Sequence, residues 1–119
     1  MWTQYNAAGQ LVNQNTYPEY PTRYSVPTGT TDPGPSSMVA GSVLVVWLSA
    51  STGNKTQTIP APANTGNKIT VTDGQGTAGT YTITVSSSGT ILGSGIVNLI
   101  NVNYASITLI DGPGGWSPA

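Results

Sequence analysis

Two groups of residues in this sequence have types and spacing that could support chemistry. The first is the segment GQGTAG at 74–79, which fits the G-x-G-x-x-G pattern of phosphate-binding loops. A dinucleotide site needs this loop to open a helix whose N-terminus receives the pyrophosphate, whereas here the β-rich run TYTITV follows at 80–85. A kinase-type loop does lie between strands, but its lysine, aspartate and magnesium ligands require a much longer chain. We therefore interpret 74–79 as the turn of a β-hairpin, in which glycines supply the positive φ angles that such turns require.

The second group is the four carboxylates Glu19, Asp32, Asp73 and Asp111. Two of them could in principle act across a glycosidic bond. Asp73 and Asp111, however, each precede a glycine at the end of a predicted strand, and Asp32 precedes Pro33, positions that are typical of turn-forming aspartate. We expect structural roles for them. A glycan hydrolase using Asp73 and Asp111 is therefore the least favoured of three functional hypotheses.

The chain contains no histidine and no cysteine. Histidine acid–base chemistry, cysteine nucleophiles, disulfides and imidazole or thiolate metal sites are therefore excluded. A serine nucleophile would need a lysine partner, but Lys55 and Lys68 lie in polar stretches near turns, without S-x-x-K spacing. The sequence predicts a protein that is not an enzyme and has no catalytic residues, cofactor or metal.

The charge content also limits the possible partners. Charged residues make up 6% of the 119 residues, three basic and four acidic, with a net charge of −1. This leaves no basic surface for nucleic acid. The longest apolar run, VLVVWL at 43–48, is far shorter than the roughly 20 residues that cross a bilayer, and the N-terminus lacks the pattern of a secretory signal. We expect no nucleic-acid and no membrane partner.

Composition divides the chain near residue 37. Five of the nine prolines lie before this point, where no helical or alternating pattern occurs, so residues 1–37 are predicted to form an extended N-terminal arm. Aromatic side chains in a segment without its own core favour docking on another molecule. The predicted partner-binding residues are the five aromatic residues of the arm: Trp2, Tyr5, Tyr17, Tyr20 and Tyr24.

Residues 38–119 are predicted to form an all-β domain. Short strands recur about every ten residues with turn residues between them, which is typical of a small β-sandwich, a jelly-roll-like sheet pair or a partial barrel. The run 43–48 is expected to be covered on both faces, and strands at 67–72 and 80–85 are expected to pair as a β-hairpin. A further strand is predicted at 104–110. Trp47 and Trp116 are expected in the core.

Within this domain, turn and strand segments follow one another in a distinctive order: IP at 59–60, GNKITVTD at 66–73, GTA at 76–78, ITV at 83–85, GTI at 89–91, INVNYAS at 100–106, and Gly112 with Trp116. In this combination the region 59–116 resembles a recurrent module of bacteriophage virion proteins, found in tail-fibre, head-fibre and capsid-decoration chains. The resemblance implies a β-rich, usually trimeric surface element without catalytic residues. Because the chain starts with its own Met1 and has no coiled-coil or repeat shaft, a small standalone virion protein is favoured over a fibre tip.

The first functional hypothesis is accordingly a capsid decoration, or cement, protein. It would be made in the host cytoplasm and would attach to the major capsid protein, or another virion protein, through its arm while the β domain projects. The alternative is a tail-fibre or head-fibre tip that binds a host glycan or receptor through exposed Trp or Tyr. An exposed aromatic patch on the β domain would favour this alternative.

We predict that the protein is a homotrimer. The last strands carry apolar residues on both faces, more than one small sandwich readily covers, and the resemblance implies trimers. These residues are Ile96, Val97, Leu99, Ile100, Ile107, Leu109 and Ile110. Light scattering at micromolar concentration should give three times the chain mass of 12.2 kDa. A monomer mass would contradict the prediction.

Overall fold

The computed structural model describes residues 23–34, 41–49, 52–92 and 98–119. The described residues form nine β-strands and no helix. The strands are β1 Arg23–Ser25, β2 Thr31–Asp32, β3 Ser42–Trp47, β4 Lys55–Ile59, β5 Lys68–Asp73, β6 Ile83–Ser87, β7 Leu99–Ile100, β8 Ser106–Gly112 and β9 Gly115–Pro118. Most are rich in Val, Ile and Thr, whose branched side chains fit a pleated surface.

The strands form two sheets in the orders β1-β3-β5-β8-β9 and β2-β4-β6-β7. The first six strands alternate between the sheets, and within each sheet they pair in parallel with the next strand of the same sheet. The chain therefore winds through three turns, and each turn adds one strand to each sheet. The last three strands pair antiparallel: β7 with β6, β8 with β5, and β9 with β8. The predicted fold class, an all-β domain of two packed sheets, is confirmed.

The hydrophobic core lies between the two sheets and follows the alternation of the strands. Ile69 stands in register between Val43 and Leu109 in the first sheet, and all three side chains are buried. In the second sheet Ile83 is buried in register with Ile100. Trp47 and Trp116 are buried as well, as predicted. The alternation of apolar residues along the sequence therefore identified which side chains point inward.

The run 43–48 is not covered on both faces as expected. Leu44 and Val46 are half-buried, and Leu48 is 49% exposed. Only Val43, Val45 and Trp47 of this run are fully buried. The reason is that the outer face of β3 carries no further layer within the described part of the chain.

The predicted hairpin of strands 67–72 and 80–85 is wrong. Strand β5 pairs with β3 and β8, whereas β6 lies in the other sheet between β4 and β7. Hairpins form most readily over loops of two to five residues, and the longer connection 74–82 instead carries the chain from one sheet to the other. Each strand's alternation was interpreted correctly, but alternation does not specify the neighbouring strand.

The first turn of the winding includes residues that the sequence analysis assigned to the arm. Residues 23–25 pair with 43–45 of β3, and residues 31–32 pair with 56–57 of β4. This pairing corrects the boundary near residue 37 for residues 23–32, because the prolines flank these short strands without interrupting them. Residues 1–22 and 35–40 lie outside the described residues. Within the described ranges, no helix is long and apolar enough to span a membrane.

The pairing of β5 can be tested by engineered disulfides, because the chain contains no cysteine. Thr70 and Thr108 are register partners whose hydroxyl oxygens lie 2.9 Å apart, so the two side chains meet on one face of the sheet. Opposed residues of antiparallel strands have Cα atoms about 4.5–5.5 Å apart, within the range that a disulfide can bridge. We expect Thr70→Cys with Thr108→Cys to cross-link fully under mild oxidation. The control is Thr70→Cys with Thr82→Cys, which a hairpin of 67–72 and 80–85 would place opposite each other. Cross-linking of the control pair alone would contradict the winding; the readout is the mobility of the oxidised chain under denaturing, non-reducing conditions.

Candidate functional site

The partner-binding residues predicted for the arm are not placed by the structure. Trp2, Tyr5, Tyr17 and Tyr20 lie outside the described residues, and for Tyr24 only the backbone is described, in β1 opposite Leu44. Their role stays a prediction. The described residues with functional potential are therefore those of the β domain itself.

Asp73 closes one end of the first sheet. It is the last residue of β5, and its buried carboxylate accepts hydrogen bonds from the backbone N–H groups of Gly76 (3.0 Å), Ala78 (2.9 Å) and Tyr104 (3.0 Å). These donors belong to two loops, which we call the glycine loop (residues 74–79) and the asparagine loop (residues 101–105). The N–H of Gly79 also donates to the side-chain oxygen of Asn103 at 2.7 Å. One carboxylate thus fixes both loops.

The G-x-G-x-x-G segment is the glycine loop. It forms a turn without a following helix, as expected, but it connects strands of two different sheets and is not the turn of a hairpin. Gly76 has a φ of 79°, and the chain continues into β6 at Ile83 without a helix. The N–H groups that a phosphate would need are already directed at the carboxylate of Asp73. The N–H groups of this segment therefore bind an internal carboxylate in the place of a phosphate.

Asp111 has a similar role at the other end of the same sheet. Its carboxylate accepts hydrogen bonds from the N–H groups of Ala63 (2.9 Å) and Asn64 (2.8 Å) and from the hydroxyl of Thr65 (2.7 Å). Asn64 adopts a φ of 55°, which asparagine tolerates better than most residues. Asp111 therefore has a structural role, as expected, but it holds the distant loop between β4 and β5, whereas the sequence predicts a turn at Asp111 and Gly112.

The environment keeps both carboxylates ionised. Burial by itself would raise the pKa of Asp73, but the N–H donors of Ala78, Tyr104 and Gly76 outweigh it and lower the pKa below its ordinary value. For Asp111 burial likewise acts to raise the pKa, and the donors from Ala63, Thr65 and Asn64 lower it further than burial raises it. Ionised carboxylates with saturated acceptor sites are poorly suited to exchange protons with a substrate.

The distance between the two carboxylates is also unsuitable for glycoside hydrolysis. The N–H of Asp111 donates to the carbonyl of Asn67, six residues before Asp73 along β5. At about 3.3 Å per residue this places the two aspartates roughly 20 Å apart, whereas paired glycosidase carboxyls lie about 5–9.5 Å apart. Asp73 and Asp111 therefore do not meet across one glycosidic bond.

Lys55 lies in an environment that the sequence analysis did not predict. It was placed in a polar stretch near a turn, but it is the first residue of β4 and is 1% exposed. Its ammonium group donates to the Thr77 hydroxyl at 3.4 Å and lies 5.9 Å from the centre of the Tyr81 ring. The signal was the alternation of Lys55 and Gln57 with Ile59, which puts all three on the inner face.

Other buried polar groups lie between the sheets. Gln57 is fully buried, and its side-chain nitrogen donates to the carboxylate of Asp32 and to the carbonyl of Thr58. Within the described part of the chain, the Gln57 side-chain oxygen and the indole nitrogen of Trp47 have no hydrogen-bond partner. The indole nitrogen of Trp116, in contrast, donates to the carbonyl of Pro60 at 2.8 Å. The described residues include no cluster of three potential metal ligands.

Tyr104 is the exposed aromatic residue of the described β domain. Trp47 and Trp116 are buried and Tyr81 is half-buried, whereas Tyr104 is 70% exposed. The sequence analysis placed Tyr104 at the start of a strand, but β8 begins two residues later and Tyr104 has a φ of 63°. Its position in the loop results from the hydrogen bond to Asp73, which local sequence patterns do not show.

Comparison of the chain with known protein families and with curated proteins finds no match.

We predict that acid destabilises the protein through Asp73 and Asp111. Because the pKa of each is lower in the folded state than the value of about 3.9 in the unfolded state, each stabilises the fold above that value. This contribution is lost as the pH falls through the folded pKa. The melting temperature should therefore be nearly constant from about pH 5 to 9, where the histidine- and cysteine-free chain has few titrating groups. It should decline below about pH 4.

The control is the double variant Asp73→Asn and Asp111→Asn. It should be less stable at pH 7, by about 1–3 kcal/mol for each site, and should lose less stability on acidification. Equal acid dependence of the two proteins would show that other groups are responsible.

Proposed function

We propose that this protein is a structural protein of a phage virion, a capsid decoration protein that attaches to the shell through its N-terminal segment. The observation that carries the proposal is the use of charge in the β domain. The three described carboxylates, Asp32, Asp73 and Asp111, all accept internal hydrogen bonds, and Lys55 is buried. These charged groups stabilise the fold from within, which supports a structural role.

The winding of the chain supports attachment at the N-terminal side. Strands β1 and β2 are the outermost strands of their sheets, and the opposite edges are formed by β9 and β7. The residues before Arg23 therefore join the domain at its first turn. An edge strand can also extend its sheet onto another chain. A segment rich in aromatic residues that enters at this edge is suitably placed to anchor the domain on a shell protein.

A second candidate, a fibre-tip module that binds a host glycan, is favoured by one observation. Tyr104 is 70% exposed on the β domain, the feature that distinguishes this candidate from a decoration protein whose aromatic residues are confined to the arm and core. Aromatic side chains on rigid loops offer a flat apolar face for recognition.

The decoration proposal predicts that the aromatic residues of the arm dominate attachment. We expect the triple variant Trp2→Ala, Tyr17→Ala and Tyr20→Ala to lower the affinity for particles lacking this protein by more than about tenfold, because aromatic anchors usually dominate interface energies. Bound copies would be counted by sedimentation of particles with labelled protein. In the folded control the mutated residues are exposed threonines of the first turn: Thr28, Thr30 and Thr31, all changed to Ala.

The control variant should bind as the unchanged chain does, and both variants should retain the same β-sheet circular dichroism. If the aromatic variant decorates particles as fully as the unchanged chain, the β domain itself is the attachment surface and the role given to the arm is wrong.

A further inference from the structure

We propose that Tyr104, with the glycine loop and the asparagine loop around it, forms a binding site for a neutral saccharide. This inference rests on the second candidate function and assigns it a location and a ligand class. The site would bind one sugar ring on the exposed face of the Tyr104 side chain, with the amide side chains of the two loops as hydrogen-bonding partners.

The backbone at Tyr104 is the first observation that supports the site. Its φ of 63° lies in the left-handed region, which is strained for a residue with a Cβ atom. Glycine or asparagine would occupy this position at a lower cost. Strained residues persist where the surroundings hold them, often at functional sites. Here the hydrogen bond from the Tyr104 N–H to Asp73 holds the strained backbone, and this backbone presents a side chain that is 70% exposed.

The glycine loop is shaped to accommodate the Tyr104 ring. A Cβ atom added to Gly76 would lie 2.6 Å from both the Cε2 atom and the hydroxyl oxygen of Tyr104, closer than such atoms approach. The absence of a side chain at Gly76 therefore lets the hydroxyl end of the ring lie against the loop. The hydrogen bond from the Tyr104 N–H to Asp73 fixes the backbone below it. Because the ring lies against the loop and its backbone is fixed, the side chain loses little further conformational freedom on binding a ligand.

The chemistry of the two loops favours a neutral and polar ligand. Neither loop contains a charged residue, and together they carry three amide side chains, Gln75, Asn101 and Asn103. The oxygen of Asn103 accepts the N–H of Gly79, which fixes the plane of that amide. A sugar ring offers apolar C–H groups to an aromatic face and hydroxyl groups to amides, whereas an anion or cation would find no opposite charge on these loops.

The competing explanation is a contact with another protein, which the exposed Leu48 and Val102 could serve. Leu48 reaches the glycine loop, since a Cβ atom added to Gly74 would lie 2.7 Å from its Cδ2 atom. We favour the saccharide because close packing is concentrated on one aromatic ring beside amides, whereas a stable protein interface buries about 800 Å² on each partner, far more than these three side chains offer.

The test is binding of the full chain to an array of immobilised neutral and charged oligosaccharides, followed by titration of the ¹⁵N-labelled protein with the best neutral one. We expect the backbone signals of Gly76, Asn103 and Tyr104 to shift. The substitution Tyr104→Asn removes the ring, while asparagine tolerates the left-handed backbone. It should lower the affinity for the oligosaccharide by at least about tenfold. Tyr104→Trp should restore it to within about threefold, since a larger aromatic face is kept. Leu92→Ala is the control, an exposed apolar residue beside Gly114.

Thermal unfolding of the same variants separates binding from packing. Because Tyr104→Asn relieves strain, its melting temperature should equal or exceed that of the unchanged chain. A clear decrease would show that the ring serves to hold the loops, and would overturn the proposal. So would the absence of any neutral ligand below about 10 mM, which is very weak binding, or binding that Tyr104→Asn leaves unchanged. The particle-binding assay contains no free saccharide, so failure here leaves the decoration proposal standing.

Discussion

The hydrogen bonds of the Asp73 carboxylate are the constraint on which one end of this protein depends. They connect the end of β5 to the glycine loop and the asparagine loop, which are far apart in the sequence. The connection is reinforced by the N–H of Asp73 itself, which donates to the carbonyl of Ala105 at 2.9 Å. Because a buried carboxylate needs donors on every side, the two loops can adopt only conformations that present their N–H groups to it. The turn at Gly76 and the left-handed backbone of Tyr104 both occur where these donors are supplied.

Asp111 applies the same principle at the opposite end, so both of these buried carboxylates are used to fix loops. In a protein with 6% charged residues, these two carboxylates stabilise the fold through backbone donors, whereas exposed ion pairs contribute little in most proteins. The ammonium group of buried Lys55 is likewise held by an internal contact, since it donates to the Thr77 hydroxyl and lies near the Tyr81 ring. The exterior that results is rich in Thr, Ser and amide side chains. Such a surface is suited to recognition by shape and hydrogen bonding, which is common to both functional candidates.

The two candidates use different ends of the molecule. The N-terminal segment joins the domain at β1, the edge strand of the first sheet where the winding begins, whereas Tyr104 lies between β7 and β8, in the part of the chain that pairs antiparallel. A domain attached through its first turn would leave the Tyr104 loops available to a second ligand. The decoration function and the saccharide site are therefore compatible in one protein, although each is tested separately.

The sequence by itself determined the fold class, the inward residues and the local turns. Ile69, Val71, Ile83 and Val85 were placed correctly because alternation in a strand reports directly which side is buried, and the structural role of Asp73 and Asp111 followed from their position before glycine. Only the tertiary structure decided which strands are neighbours, that residues 23–25 join β3, that Lys55 is enclosed and that Tyr104 is held out of its predicted strand. The physical reason is the range of the interactions. Alternation and turn formation depend on residues a few positions apart, whereas strand neighbours such as Val43 and Ile69, and the Tyr104 donor to Asp73, come from distant segments whose meeting depends on the whole chain being folded.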